Sequence, residues 1–198
     1  MSPRPQIDAF DVRALPEGFQ YQADIVAPEL EQQLLKEIPK LPFKAFEFRG
    51  FEGKRRVVSY GWRYDFNQQK LQKADLIPPF LIPVRELAAR FARLRPEQLE
   101  QVSVIEYSPG SAIGWHRDRP MFGDVVGISL LSATRFRFRR KARTTWQRTA
   151  IAVEPRSIYL LRGPSRDEWE HSLPPLKTLR YSITMRTMRA PSPLATAQ

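Results

Sequence analysis

The chain has 198 residues, no cysteine, two histidines and a formal net charge of +11, from 32 Lys and Arg against 21 Asp and Glu. That length favours a single domain with its own core, and the charge favours nucleic acid as partner or substrate. Without thiols there are no disulfides, thiolate nucleophiles, iron–sulfur clusters or cysteine-ligated zinc, and with two histidines there is no three-histidine zinc site.

The first 27 residues read as an extended lead-in with a short strand near Phe19-Gln20-Tyr21. Pro28-Glu29 opens a helix whose apolar stripe is Leu30, Leu34, Leu35 and Ile38, and Pro39 and Pro42 end it. Residues 44–66 alternate aromatic and polar groups, with Gly50 and Gly53 punctuating a hairpin. Residues 79–94 read as a second amphipathic helix, with Pro83 in its first turn and Pro96 just beyond its end.

After residue 100 the apolar period becomes two. Strands are expected at Val102–Tyr107, Val125–Leu131, Arg135–Arg139, Thr149–Val153, Ser157–Leu161 and Tyr181–Met188. Many short strands with turn signals point to a sandwich or barrel, here an α+β, mainly β unit with helices packed on a β core. No apolar run reaches the length of a membrane span and no secretion signal opens the chain, so the expectation is a cytoplasmic monomer without membrane contact. The segment 190–198 is expected to be disordered.

The two histidines carry the first chemical hint. On an extended strand residues two apart point to the same side, so His116 and Asp118 can present an imidazole and a carboxylate to one point. His171, brought alongside by the fold, would complete two nitrogens and one oxygen, the donor set of non-haem Fe(II) oxygenases. Taken alone the pair is more often an ordinary polar contact, and a two-histidine, one-carboxylate zinc site stays open. Arg180 and Arg186 are six apart and share a strand face. Two guanidinium groups on an inward face need an anion, which a dicarboxylate co-substrate supplies. The alternative is two solvent-facing arginines.

The ordered set Tyr107-Ser-Pro-Gly, His116-Arg-Asp118, Gly163-Pro-Ser-Arg166, His171-Ser-Leu-Pro-Pro-Leu and Arg180-Tyr-Ser-Ile-Thr-Met-Arg186 resembles the AlkB family of 2-oxoglutarate- and Fe(II)-dependent dioxygenases. The resemblance spans roughly residues 55–188 and includes Arg55-Arg56, Tyr60-Gly61 and Tyr64-Asp65-Phe66, which look like a nucleotide-recognition region. It implies one catalytic domain over 1–198: a recognition lid at about 44–70 and a double-stranded β-helix, or jelly-roll, core at about 100–188. It implies Fe(II) held by His116, Asp118 and His171, and 2-oxoglutarate held by Tyr107, Arg180 and Arg186, with O2 as the other co-substrate. The implied reaction is oxidative dealkylation of DNA or RNA bases. An AlkB-like hydroxylase or demethylase of a protein or small molecule is the alternative. Two positions depart from the pattern. Ile105 stands where many members carry Asn, a contact Ser182 can replace. Pro120 stands where base-repairing members often carry an acid.

Other residues suggest how a substrate is held. Alternation along Arg135-Phe136-Arg137-Phe138-Arg139 puts arginines on one outward face, so Arg137 and Arg139 read either as a phosphate track or as a solvated β face. Trp62, Tyr64 and Phe66 alternate on a lid strand and read as base-stacking aromatics or as hairpin packing. Arg166 reads as a residue facing the substrate pocket or as a loop arginine.

Overall fold

The computed structural model describes residues 15–48, 51–65 and 68–189. The expected lead-in before residue 15, Phe66 and the tail from residue 190 lie outside the described residues.

In chain order the strands are β1 (Phe19–Gln22), β2 (Lys44–Phe48), β3 (Phe51–Tyr60), β4 (Trp62–Asp65), β5 (Lys70–Lys73), β6 (Gln101–Tyr107) and β7 (Ile113–His116). They continue with β8 (Phe122–Leu130), β9 (Thr134–Ala142), β10 (Thr145–Val153), β11 (Ser157–Leu161), β12 (Glu170–Leu173) and β13 (Arg180–Met188). A seven-stranded sheet has the order β1-β11-β8-β13-β6-β3-β2, and a four-stranded sheet has the order β10-β9-β12-β7. All the pairings are antiparallel. The two sheets face each other in a jelly-roll core, with Phe136 of β9 against Tyr159 of β11 at 5.0 Å between ring centres.

Helices α1 (Pro28–Glu37) and α2 (Ile82–Ala92) cover the other side of the large sheet. Each has proline in its first turn, where the missing N–H costs no helical bond. The second helix is shorter than the expected 79–94, because Pro79–Leu81 forms a separate 3-10 turn ahead of it. Its buried face is Val84, Ala88, Ala89 and Ala92, small enough to lie close on the sheet. Beneath the helices sit Val104, Ile128, Leu160, Ile183 and Met185, fully buried.

Strand alternation therefore sorts side chains between two compartments. On β13, Tyr181, Ile183 and Met185 join the core under the helices, while Arg180, Ser182, Thr184 and Arg186 line the space between the sheets. On β6, Glu106 faces the helical side and takes a bidentate contact from Arg56 at 2.8 and 2.9 Å. The Tyr181 hydroxyl donates to the same carboxylate at 3.3 Å. This cluster stitches β3, β6 and β13 together.

In the aromatic stretch 44–66 the expected hairpin forms between β2 and β3, and the chain then enters a second unit with β4. Strands β2 and β3 extend the large sheet along β6, whereas β4 and β5 pair only with each other. Gly61 makes the break: its φ is +72°, and a Cβ there would run into the Glu100 carbonyl oxygen. Strands β4 and β5 leave the sheet at that point as a separate antiparallel pair.

Glu106→Ala strands the Arg56 guanidinium and the Tyr181 hydroxyl. Because Arg56 is half exposed, the expected loss is at the modest end for a charged hydrogen-bond acceptor, about 1–3 kcal/mol. A urea unfolding curve measures it; an unchanged midpoint contradicts the assigned role of the cluster.

Candidate active site

Pairing of β7 with β12 sets His116 directly across from His171. Their rings lie 4.3 Å apart, centre to centre. On its other side His171 pairs with Phe138 of β9, and its ring stacks on Phe136 at 5.3 Å with a 14° tilt. Strand β7 ends at His116, so Asp118 is not its partner on an extended strand as the spacing suggested. Asp118 lies in the loop into β8 and turns toward β13, where Arg186 donates to its Oδ1 from Nε and Nη2 at 3.2 and 3.0 Å.

The electrostatics suit a set of electron-pair donors. Burial alone would raise the Asp118 carboxyl, but Arg186, both histidines and Arg166 outweigh it and hold the group well below the usual carboxylate range. Burial, with the neighbouring His116, pushes His171 down to about 3, so its imidazole is neutral. His116 Nδ1 lies 2.9 Å from the Gly114 carbonyl oxygen, which can only accept. A proton on Nδ1 is held by that contact, which leaves Nε2 as the nitrogen to face a metal, the usual arrangement for a ligating histidine. Two imidazoles and an ionised carboxylate fit an Fe(II) ion chemically. Among the described residues no three such groups meet on one point in the conformers present, since Asp118 is turned to Arg186.

The same cavity holds the residues expected for a co-substrate: Tyr107, Arg180, Ser182 and Arg186 line it together with His116, Asp118 and His171. Arg180 is 1 % exposed. Its Nε donates to Ser129 Oγ at 3.1 Å and its guanidinium lies 5.1 Å from the Tyr107 ring centre. Arg180 Nη1 has no hydrogen-bond partner among the described residues. An unpaired, buried cationic N–H facing a cavity suits a carboxylate. Arg186 is already paired with Asp118, and its Nη1 donates to Gln101 at 2.7 Å. Ser182 lies directly across the strand pair from Ile105, and both line the cavity, so its hydroxyl stands beside the position where the family often has Asn.

The residues singled out for substrate contact divide. Tyr64 lies under the Arg119 guanidinium at 4.7 Å, next to Asp118 in sequence. Trp62 is capped by Lys73 at 3.8 Å, and its indole N–H reaches Glu100 at 3.4 Å; one face of the ring is therefore occupied. Arg137 donates to Ser172 at 3.0 Å, and Arg139 pairs with Glu170 at 2.5 Å. Both project from the face of β9 opposite to Phe136 and Phe138, away from the cavity. Arg166 does not face the pocket. Its buried guanidinium donates to the backbone carbonyls of Arg119 (2.8 Å), Phe122 (2.8 Å) and Gly123 (3.0 Å) and holds the loop that carries Asp118.

Tyr159 was not anticipated. It lines the cavity from β11, and burial pushes its phenol up to about 12. It fits because its cross-strand partner is Gly127; a Cβ on that glycine would overlap the tyrosine ring. The only mark in the sequence is a tyrosine flanked by aliphatic residues at an inward position of the strand.

Gly127→Ala is expected to push Tyr159 into the cavity. It should cost about 1–3 kcal/mol by overpacking and weaken 2-oxoglutarate binding, as read by thermal melting and by titration calorimetry. Arg166→Met releases three carbonyls and should weaken Mn(II) binding by about 10–100-fold, the range seen when a residue supporting a ligand is lost. Unaltered Mn(II) affinity would show that the loop holds Asp118 without Arg166.

Residues 20–190 match the model of the 2OG-Fe(II) oxygenase superfamily. A relative described as uncharacterized protein L905, from Acanthamoeba polyphaga mimivirus, is 29% identical, with 86% of this chain and 85% of that protein aligned. The Arabidopsis thaliana protein named alkylated DNA repair protein ALKBH8 homolog is 27% identical over 84% of this chain and 57% of its own length. The Mus musculus protein named tRNA (carboxymethyluridine(34)-5-O)-methyltransferase ALKBH8 is 26% identical, with 84% of this chain and 26% of its own length aligned. This chain thus spans little more than half of the plant relative and about a quarter of the mouse one. The solved structure of OsALKBH1 superposes with a TM-score of 0.66 at 15% identity, covering 88% of this chain and 99% of that one. With the family match running from the first strand of the large sheet past the end of its last, this chain belongs to the 2OG-Fe(II) oxygenase superfamily and, within it, to the AlkB family of dioxygenases.

Proposed function

We propose that the chain is an oxidative dealkylase of nucleic-acid bases. In this reading His116, Asp118 and His171 hold Fe(II). The iron, with O2 and 2-oxoglutarate, supplies the oxidising power that hydroxylates an N-alkyl carbon, leaving free base and aldehyde. The observation that carries the co-substrate assignment is the unpaired Nη1 of Arg180, buried in the same cavity as the two histidines. Arg180 takes the carboxylate far from the metal and Ser182 adds a hydroxyl. Tyr107 walls the cavity beside them, and Arg186 stands at the metal end. As long as Arg186 holds Asp118 ionised, the carboxylate is ready as a donor.

Two features support nucleic acid as the substrate class. The net charge is +11, and the β4–β5 hairpin brings Tyr64 against Arg119, beside the loop of Asp118. An aromatic ring paired with a guanidinium offers a stacking surface to an extruded base. Some relatives carry names that refer to DNA repair and to tRNA modification. No helix among the described residues is long and apolar enough to cross a membrane.

Succinate release from 2-oxoglutarate, screened with methylated and etheno-modified oligonucleotides and with methylated peptides, tests the proposal. Turnover with peptides alone would replace nucleic acid by protein as the substrate. His116→Ala should abolish succinate release without changing the far-UV spectrum. Arg180→Ala should raise the KM for 2-oxoglutarate by roughly 10–100-fold, the equivalent of one charged hydrogen bond; an unchanged KM moves the co-substrate elsewhere.

A further inference from the structure

The outward side of the four-stranded sheet has a composition unlike the rest of the molecule. Residues opposite each other in an antiparallel pair project to the same face. Arg135, Arg137, Arg139 and Lys141 of β9 therefore share that face with Ala152, Ala150, Arg148 and Trp146 of β10. Strand β12 adds Ser172 opposite Arg137 and Glu170 opposite Arg139. Among the described residues of these three strands, five cations thus meet one carboxylate on this side, with Asp167 and Glu168 bordering the end of the face at Trp146. The row along β9 repeats every second residue, about 6.7 Å.

Two tryptophans organise it. Arg139 lies between Trp115 and Trp146, 4.6 and 4.3 Å from the ring centres, and Arg137 lies 5.2 Å from the Trp115 ring centre. Guanidinium groups stacked on indoles keep their charge and lose side-chain freedom before any ligand arrives. Trp146 remains 37 % exposed. Ala150 and Ala152 leave a low floor beside Arg137 and Arg135.

We infer that this face is a second nucleic-acid-binding surface, distinct from the catalytic cavity, which grips the phosphate backbone of a strand and stacks one unpaired base on Trp146. The inference rests on the reading of nucleic acid as substrate class, and it changes the role of the arginine row. Phe136 and Phe138 point to the cavity side, so the outward arginines cannot touch a base that reacts inside it. They hold nucleic acid outside the chemistry and raise its local concentration there. Arg137 and Arg139, already committed to Ser172 and Glu170, form the fixed part of the field. Lys141 and Arg148, both exposed, are the side chains that reach phosphates, with Arg135 extending the row of charge along β9.

The test uses the whole chain without iron and an unmodified, fluorescently labelled single-stranded oligonucleotide, with anisotropy read at several salt concentrations. The triple variant R135Q/K141Q/R148Q should bind on the order of 10-fold or more weakly at low salt, with a slope of log K against log salt about 2 units shallower. W146A should weaken binding by roughly 5-fold or more with no change of slope, as expected for lost stacking. A control variant K36Q/K40Q/R90Q removes the same charge from the helices and should leave the oligonucleotide affinity within about 2-fold of the parent. Far-UV spectra and melting temperatures confirm that each variant is folded. Equal losses in the face and helix variants would overturn the inference, because net charge and not this face would then bind. An unaltered slope in the face variant, or tight binding of anionic phospholipid vesicles in place of the oligonucleotide, would overturn it too. No modified base and no turnover enter the experiment, so its failure leaves the dealkylation proposal to its own assay.

Discussion

A guanidinium group buried between two sheets is the constraint around which this molecule is arranged. Arg180 is 1 % exposed, is bonded through Nε to Ser129 and leaves Nη1 unpaired. A buried cation is costly unless its surroundings answer it. The inward face of β13 answers with more polar groups, Ser182, Thr184 and Arg186, and with Asp118 across the cavity. A stripe of this kind prevents the sheets from closing into a continuous apolar core. The hydrophobic residues accordingly separate into a large cluster under the helices and a smaller, aromatic one between the sheets. The cavity is what remains where the second cluster meets the polar stripe.

Much of this can be read from Arg180-Tyr-Ser-Ile-Thr-Met-Arg186, where strict alternation of polar and apolar residues states that both faces of the strand are used. The two histidines could be placed by resemblance, yet the pairing that puts them 4.3 Å apart depends on a register between strands more than 50 residues apart, which has no local mark. Asp118 was expected on the strand of His116. The strand stops two residues short of it, and the carboxylate is placed by Arg186, 68 residues away. Arg139 looked like an open phosphate contact because nothing near it in sequence is acidic; its partner Glu170 comes from another strand. Tyr159 was hidden for a different reason. A tyrosine between aliphatic residues reads as core, and only Gly127 opposite shows that its ring reaches the cavity.

Charge is distributed around the site with little redundancy. Asp118 is the only carboxylate among the described residues lining the cavity, while Arg117 and Arg119 flank it in sequence and Arg166 and Arg186 contribute to its depressed pKa. A single anion among several cations stays ionised across the physiological range and offers no second acid to an incoming group. The β4–β5 hairpin reaches this region where Tyr64 lies on Arg119, and Gly61 sets the direction in which the hairpin leaves the sheet. Its geometry is tied to the large sheet at one end and to the Asp118 loop at the other.

The way Arg166 holds that loop bears on how such a site can change over evolutionary time. All three of its acceptors are main-chain oxygens, those of Arg119, Phe122 and Gly123. A tether that recognises only the backbone is indifferent to what the loop displays. Side chains at 120 and 121 are thus free to diversify, and a proline at 120 is accommodated, without disturbing the aspartate ahead of them. Anchorage and display are separated within a handful of residues, so selection can explore new substrates at the rim while the chemistry beneath it stays in place.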